Sequence, residues 1–166
     1  MNMCVVMEIL KGGDLFTYLE RKKFRIPEAR ACKIIHSLAT SLFYIHSYGI
    51  THRDLKPENV LMVDETDSSD VKLVDFGLSK IIGKFFFLEL SILGPNETCN
   101  DPFGTLSYVA PEVLLQQPYA KTVDIWSLGK TCLRIIFSVI KVWLPIFYSV
   151  ELFLSMMMTI EKLQGK

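Results

Sequence analysis

The sequence predicts an α+β chain that is mainly helical and carries short hairpin strands. Three observations support this. Ala31, Ile34, Ile35, Leu38, Leu42 and Ile45 recur at helical spacing between Pro27 and Gly49. The apolar runs 60–63 and 71–74 flank the polar stretch 64–70, which has the composition of a hairpin connection. A further helix is expected to start near Thr122 and to carry Asp124, Ile125 and Trp126.

Taken in chain order, Cys4, Val5, Val6, Met7 and Glu8 read as a short buried strand, because β-branched residues dominate and polarity is low. Lys11, Gly12 and Gly13 break it. Asp14 is placed to cap a helix with Leu15, Phe16 and Leu19 on one face. Pro27 suits the first turn of the long helix, and Gly49 suits its stop. The acidic connection 64–70 has no glycine at a sharp turn and no terminal bidentate glutamate, so it reads as a solvated turn and not a calcium loop. The remainder up to Thr122 reads as loop.

The 166 residues suffice for one domain with a core. Lysine plus arginine equals aspartate plus glutamate at 18 each, so nothing points to nucleic acid or to a strongly acidic partner. Cys4, Cys32, Cys99 and Cys132 show no paired spacing and read as free thiols in a reducing compartment. No leader pattern opens the chain, so secretion is not expected; a cytoplasmic location is, with the nucleus left open. Mean hydropathy is positive, with the excess in 85–92 and 131–160. Arg134, Lys141, Pro145 and Glu151 divide the second stretch into runs too short to span a membrane.

The chemistry is concentrated in His52-Arg53-Asp54-Leu55-Lys56-Pro57-Glu58-Asn59, followed by Asp75-Phe76-Gly77 and by a segment from Gly104 to Ala110-Pro111-Glu112. Phosphoryl transfer needs an acceptor hydroxyl in line, cations across the phosphates and positive charge near the transferred group. One loop from His52 to Asn59 can supply all three. This set resembles the eukaryotic protein kinases. Lys56 places the resemblance with the serine/threonine branch. The stretches 8–16 and 118–129 look like the calcium/calmodulin-dependent group, with any calcium sensor outside this chain.

The resemblance implies a protein-kinase-like large lobe with a remnant hinge strand, using ATP and magnesium on protein substrates with serine or threonine acceptors. By that resemblance, Asp54 orients the hydroxyl, Lys56 reaches the transferred phosphate, and Asn59 and Asp75 hold the metal. Thr105 bonds toward Asp54 and Lys56. Met7 takes the gatekeeper place behind the adenine, Glu8 and Leu10 pair with its edge through their backbone, Leu61 floors it, and Asp14 lies near the ribose and the peptide. Asp124 accepts backbone amides of the His52–Arg53 turn, and Glu112 usually has an arginine partner. Arg53 is the residue that often pairs with a loop phosphate. Asp101 stands four residues before Thr105, where that phosphate would sit, and is expected to replace it in part; Thr98 is the alternative phosphosite. His36, His46 and His52 read as structural histidines.

The resemblance covers 3–82 and 93–129, so residues 1–129 are expected to be a partial kinase domain with an insertion at 83–92. Residues 130–166 are expected to be a hydrophobic, divergent tail. No glycine-rich phosphate loop or strand lysine precedes Met1, so little or no activity is expected of the chain alone. A non-catalytic interaction module is the alternative. Both departures begin with Gly-Lys, at 83–84 and 129–130, a pair that splice-donor-like codons can encode. Retained intron sequence is one reading of these segments; a real insertion and tail is the other.

Overall fold

The apolar stripe after Pro27 forms α2 (Glu28–Ser47), which buries Ala31, Ile34, Leu38, Leu42 and Ile45. The computed structural model describes residues 4, 6–82 and 98–139. Pro27 lies one place outside the helix, in the N-cap position with extended backbone, and its carbonyl accepts the amides of Arg30 and Ala31. The other end closes through Tyr48 N–H to Ile45 O and Gly49 N–H to His46 O. Gly49 has φ 72°, the left-handed geometry that a residue without Cβ adopts at least cost.

Asp14 caps α1 (Leu15–Arg21) as expected, accepting Thr17 N–H and Thr17 Oγ1–H at 2.8 Å each. Leu15, Tyr18 and Leu19 form its buried face. Phe16 was expected there and instead stands half-buried, edge-on to Phe24.

The two runs around the polar connection pair as β2 (Val60–Met62) and β3 (Val71–Leu73), antiparallel, with Val60 opposite Leu73 and Met62 opposite Val71. Segment 11–13 lies against this hairpin. Lys11 N–H reaches Val63 O, Gly12 N–H reaches Met62 O, and Met62 N–H reaches Gly13 O. A Cβ at Gly12 would sit 2.1 Å from Asp64 O and 2.4 Å from Met62 Cβ, so the close approach requires glycine.

The described residues of the strand expected at 4–8 do not form one. Among the described residues of 4–10 there is no regular structure, and Val6, Met7 and Ile9 are 96%, 81% and 80% exposed. A strand exists only through hydrogen bonds to a neighbour, and no described residue offers a ladder here. Glu8 is held from the side by Lys72 Nζ at 2.6 Å.

Four short elements escape the sequence pattern. β1 (Ile50–Thr51) pairs antiparallel with β4 (Lys80–Ile81), a turn of 3-10 helix covers Pro57–Asn59, and α3 spans Pro111–Leu114. The expected last helix is α4 (Thr122–Val139), which continues beyond Gly129. It buries Leu128, Cys132 and Ile135 completely. Burial pushes the Cys132 thiol up to about 12.

α2 and α4 form one core with α1 and the β2–β3 hairpin, while Ile82, Cys99, Ala110, Val113, Tyr119 and Val123 form a second, smaller cluster. All four cysteines are free. No helix among the described residues is long and apolar enough to cross a membrane. The segments 83–92 and 140–166 lie outside the described residues.

Leu38 is 1% exposed at the centre of the main core, whereas Phe43 on the same helix is 50% exposed. Leu38→Ala is expected to cost about 2–5 kcal/mol in urea unfolding, and Phe43→Ala about 0.5 kcal/mol or less.

Candidate active site

The site starts from a buried charge. Asp124, in the first turn of α4, is 0% exposed. Its Oδ2 accepts His52 N–H at 2.7 Å and faces His46 Nε2 at 2.8 Å, and its Oδ1 accepts Arg53 N–H at 2.7 Å. A buried carboxylate persists when its lone pairs are met by donors, as here. His46 Nε2 thus meets the carboxylate, while its Nδ1 has no hydrogen-bond partner among the described residues. The twin amide bonds hold the turn in which Arg53 adopts φ 70°, a left-handed geometry that costs a non-glycine residue about 1–3 kcal/mol.

His52, beside this turn, is fully buried and uses both ring nitrogens. Nε2 faces Val74 O at 3.0 Å, and Nδ1 accepts Asp54 N–H at 3.3 Å. This is a structural histidine, as expected. His46 is structural too, but it bonds the anchor carboxylate itself, which the sequence did not indicate.

The next residues converge on Asp54, which is 9% exposed. Its Oδ1 accepts Thr105 N–H at 3.0 Å and Thr105 Oγ1–H at 2.8 Å. Its Oδ2 accepts Lys56 Nζ–H at 2.8 Å and Asn59 Nδ2–H at 2.9 Å. Lys56 Nζ also donates to Thr105 Oγ1 at 2.6 Å. Burial alone would raise the Asp54 carboxyl. The bonds from Lys56, Thr105 and Asn59, with the Lys56 charge, outweigh burial and hold it below the usual carboxylate range. Asp54 is therefore ionised at neutral pH.

Thr105 can reach Asp54 because Gly104 takes φ 113°; a Cβ there would lie 2.9 Å from both Arg53 O and Val109 Cγ2. Asn59 is fixed from two sides, donating to Asp54 O at 2.8 Å and accepting Val74 N–H at 3.0 Å through its own carbonyl. Val74 also meets His52, so Asp75, the next residue, starts beside the same loop. Asp75 is exposed with φ 62°, and its Oδ1 accepts Gly77 N–H at 3.1 Å.

The donor set suits a hard cation. Asn59 spends its amide N–H on Asp54, and neither its Oδ1 nor Asp75 Oδ2 takes a hydrogen bond among the described residues. These are one amide and one carboxylate oxygen. Magnesium characteristically uses one or two carboxylates and completes its shell with water and substrate phosphate. Among the described residues no group of three or more His, Cys, Asp or Glu side chains could hold a metal by itself.

The adenine-side residues are less tightly gathered. Asp14 and Leu61 form an isolated antiparallel bridge, and Leu10, four residues before Asp14, is half-buried. The Asp14 carboxylate is occupied by the α1 cap. Met7 and Glu8 stand in solvent. Glu112 has no ion-pair partner among the described residues.

Arg53 reaches away from Asp54 into a cluster that sequence spacing does not announce. Its Nε donates to Leu78 O at 2.6 Å, and Nη1 lies 3.2 Å from Tyr119 Oη, 3.4 Å from Cys99 Sγ and 3.7 Å from Asp101 Oδ2. Lys80 Nζ meets the same Asp101 oxygen at 3.2 Å. The Cys99 thiol and the Lys80 ammonium, both bonded to Asp101, hold its carboxyl below the usual range. Of these partners only Asp101 had a sequence signal, its distance from Thr105.

An ionised aspartate bracketed by a lysine, a threonine and an amide, on a loop anchored from a helix, is the arrangement of a protein kinase large lobe. The protein kinase domain family matches residues 1–149, and the chain belongs to that family, with its resemblance to the serine/threonine kinases. Ribosomal protein S6 kinase alpha-4 of Mus musculus is 41% identical over 126 residues, covering 75% of this chain and 15% of that protein. The same kinase of Homo sapiens is 40% identical over 126 residues, again covering 75% and 15%. Ribosomal protein S6 kinase 2 beta of Xenopus laevis is 39% identical over 129 residues, covering 77% and 19%. The chain thus spans less than a fifth of the length of these curated relatives.

Removing the Asp124 carboxylate leaves two amides and a histidine without their buried acceptor. Asp124→Ala is expected to cost about 3 kcal/mol or more in urea unfolding. It should also speed hydrogen exchange at His52 and Arg53 before that of the α2 amides.

Proposed function

We propose that this chain is a partial serine/threonine kinase lobe whose site serves transfer of the ATP γ-phosphate to serine or threonine hydroxyls of protein substrates, with magnesium. The observation that carries the reading is Asp54, kept ionised and held at both carboxylate oxygens by Thr105, Lys56 and Asn59. A carboxylate fixed in this way can orient an acceptor hydroxyl and take its proton. Lys56 supplies positive charge beside it for the transferred group. Asn59 Oδ1 and Asp75 would hold the cation, which when bound neutralises charge on the phosphates. Met7, Glu8 and Leu10 border the adenine, Leu61 floors it, and Asp14 lies toward the ribose.

Residues 1–129 form the partial kinase domain in this reading, with 83–92 an insertion and 130–166 a divergent tail. The subgroup is calcium/calmodulin-dependent kinase-like, on the stretches 8–16 and 118–129, with calcium sensing outside this chain. The location is cytoplasmic, and the nucleus is not separated from it by any residue. In this reading the chain alone transfers phosphate slowly or not at all.

Titration of ATP by calorimetry, with and without magnesium, tests the reading. Binding is expected to need magnesium, and Asp75→Asn is expected to weaken it about tenfold or more. A chain with no magnesium-dependent nucleotide response would be an interaction module and not a kinase site.

Asp101 carries a second expectation, regulatory in kind. Its carboxylate lies between Lys80 and Arg53, which supports its standing in for a phosphate on the 98–105 segment. In a full-length version, Asp101→Ala is expected to lower peptide phosphorylation about tenfold. Undiminished activity would remove this role.

A further inference from the structure

We propose that Arg134 is an anion-recognition point for the peptide substrate, taking a carboxylate or phosphate side chain near the acceptor residue. The proposal rests on the kinase reading and adds a specificity residue to it. Arg134 projects from α4 and is exposed. Its guanidinium carbon lies 4.6 Å from the centre of the Phe16 ring and 5.9 Å from that of Phe24. These rings meet edge to face at 6.3 Å. Nη1 donates to Tyr108 Oη at 3.3 Å. Residues from α1, from the turn after it and from the 104–112 segment thus hold one cation in place.

An arginine head fixed on aromatic faces has already lost much of its rotamer freedom, so less is lost when it binds. Its planar fork matches carboxylate and phosphate oxygens in pairs. Among the described residues no carboxylate lies within ion-pair distance of Arg134, and only Nη1 is engaged in a hydrogen bond. Its charge is therefore available.

Its position also fits. Tyr108 N–H donates to Thr105 O at 2.8 Å, and Thr105 is bonded to Asp54. The Tyr108 hydroxyl lies within electrostatic reach of Lys56 and Glu58 as well as Arg134. Arg134 thus neighbours the same segment that covers Asp54. Glu58 is the nearby charge of opposite sign. It disfavours an anion on its own side, so the preference should be confined to particular peptide positions.

The test is fluorescence anisotropy of labelled serine-centred peptides with the full 166-residue chain. One aspartate is moved through the positions on either side of the acceptor; a second series carries phosphoserine, and a reference peptide is neutral. At one or two positions the aspartate peptide is expected to bind about fivefold tighter than the neutral one, the upper range for a solvent-exposed ion pair. The preference should shrink with added salt. A larger preference for phosphoserine assigns phosphate as the ligand; an equal or smaller one assigns carboxylate. In Arg134→Gln the ratio is expected to fall to about one, and in Arg134→Lys, which keeps the charge without the fork, to an intermediate value. Circular dichroism confirms that each variant folds, and the lysine variant carries the test if the glutamine variant does not. An undiminished ratio in the folded variants, or equal binding of acidic and neutral peptides by the parent chain, overturns the proposal while peptide binding by the lobe stands. If no peptide binds, the proposal falls together with the substrate-binding part of the kinase reading.

Discussion

The whole site depends on one buried carboxylate. Asp124 has no access to water, and its two oxygens meet two consecutive backbone amides and an imidazole. Isolated in an apolar interior, such a charge would be strongly unfavourable. Surrounded by donors, it becomes a fixed point that orients the loop carrying Asp54, Lys56 and Asn59. The left-handed backbone at Arg53 follows from the same contact, since both amides can face one carboxylate only if the chain turns sharply there.

From that fixed point the remaining geometry follows in steps. The His52 ring bridges Val74 and the Asp54 amide, which ties the loop to the end of β3. Asn59 repeats the tie through Val74 N–H. Thr105 then closes over Asp54 by way of Gly104. The electrostatics are internally consistent: Asp54 is desolvated, yet its donors outweigh burial, so it remains a carboxylate facing Lys56. The Arg53 cluster with Asp101, Lys80, Cys99 and Tyr119 joins the same loop to the smaller core, so the segment that covers Asp54 is held at both ends.

Much of this was legible in the sequence, for physical reasons. α2 and α4 are long enough for helical periodicity to show, and β2 and β3 flank a polar connection. The residues Asp54, Lys56, Asn59 and Thr105 were picked out by the resemblance of their motifs to the protein kinases, and the bond from Asp124 to the His52–Arg53 turn was expected from the same resemblance. What was not legible lacks a local signal. β1 and β4 are two residues each, too short for any period, and pair across a long separation. Tyr119 and Cys99 meet Arg53 only because the chain folds back. The opposite error occurred at 4–8, where β-branched residues suggested a strand; propensity describes fit to a sheet and cannot supply the neighbouring strand. Phe16 departed from the buried face of α1 because Arg134 and Phe24 offered it a different partner.

The anchor has a consequence for biosynthesis. His52 and the Asp124 side chain that fixes it are 72 residues apart in the chain. At about 5–20 residues per second of translation, the loop is synthesised about 4–14 s before the carboxylate that fixes it. Throughout that interval the acidic and basic groups destined to face one another belong to a nascent chain with no means of holding them, and the lobe can mature only after α4 has emerged.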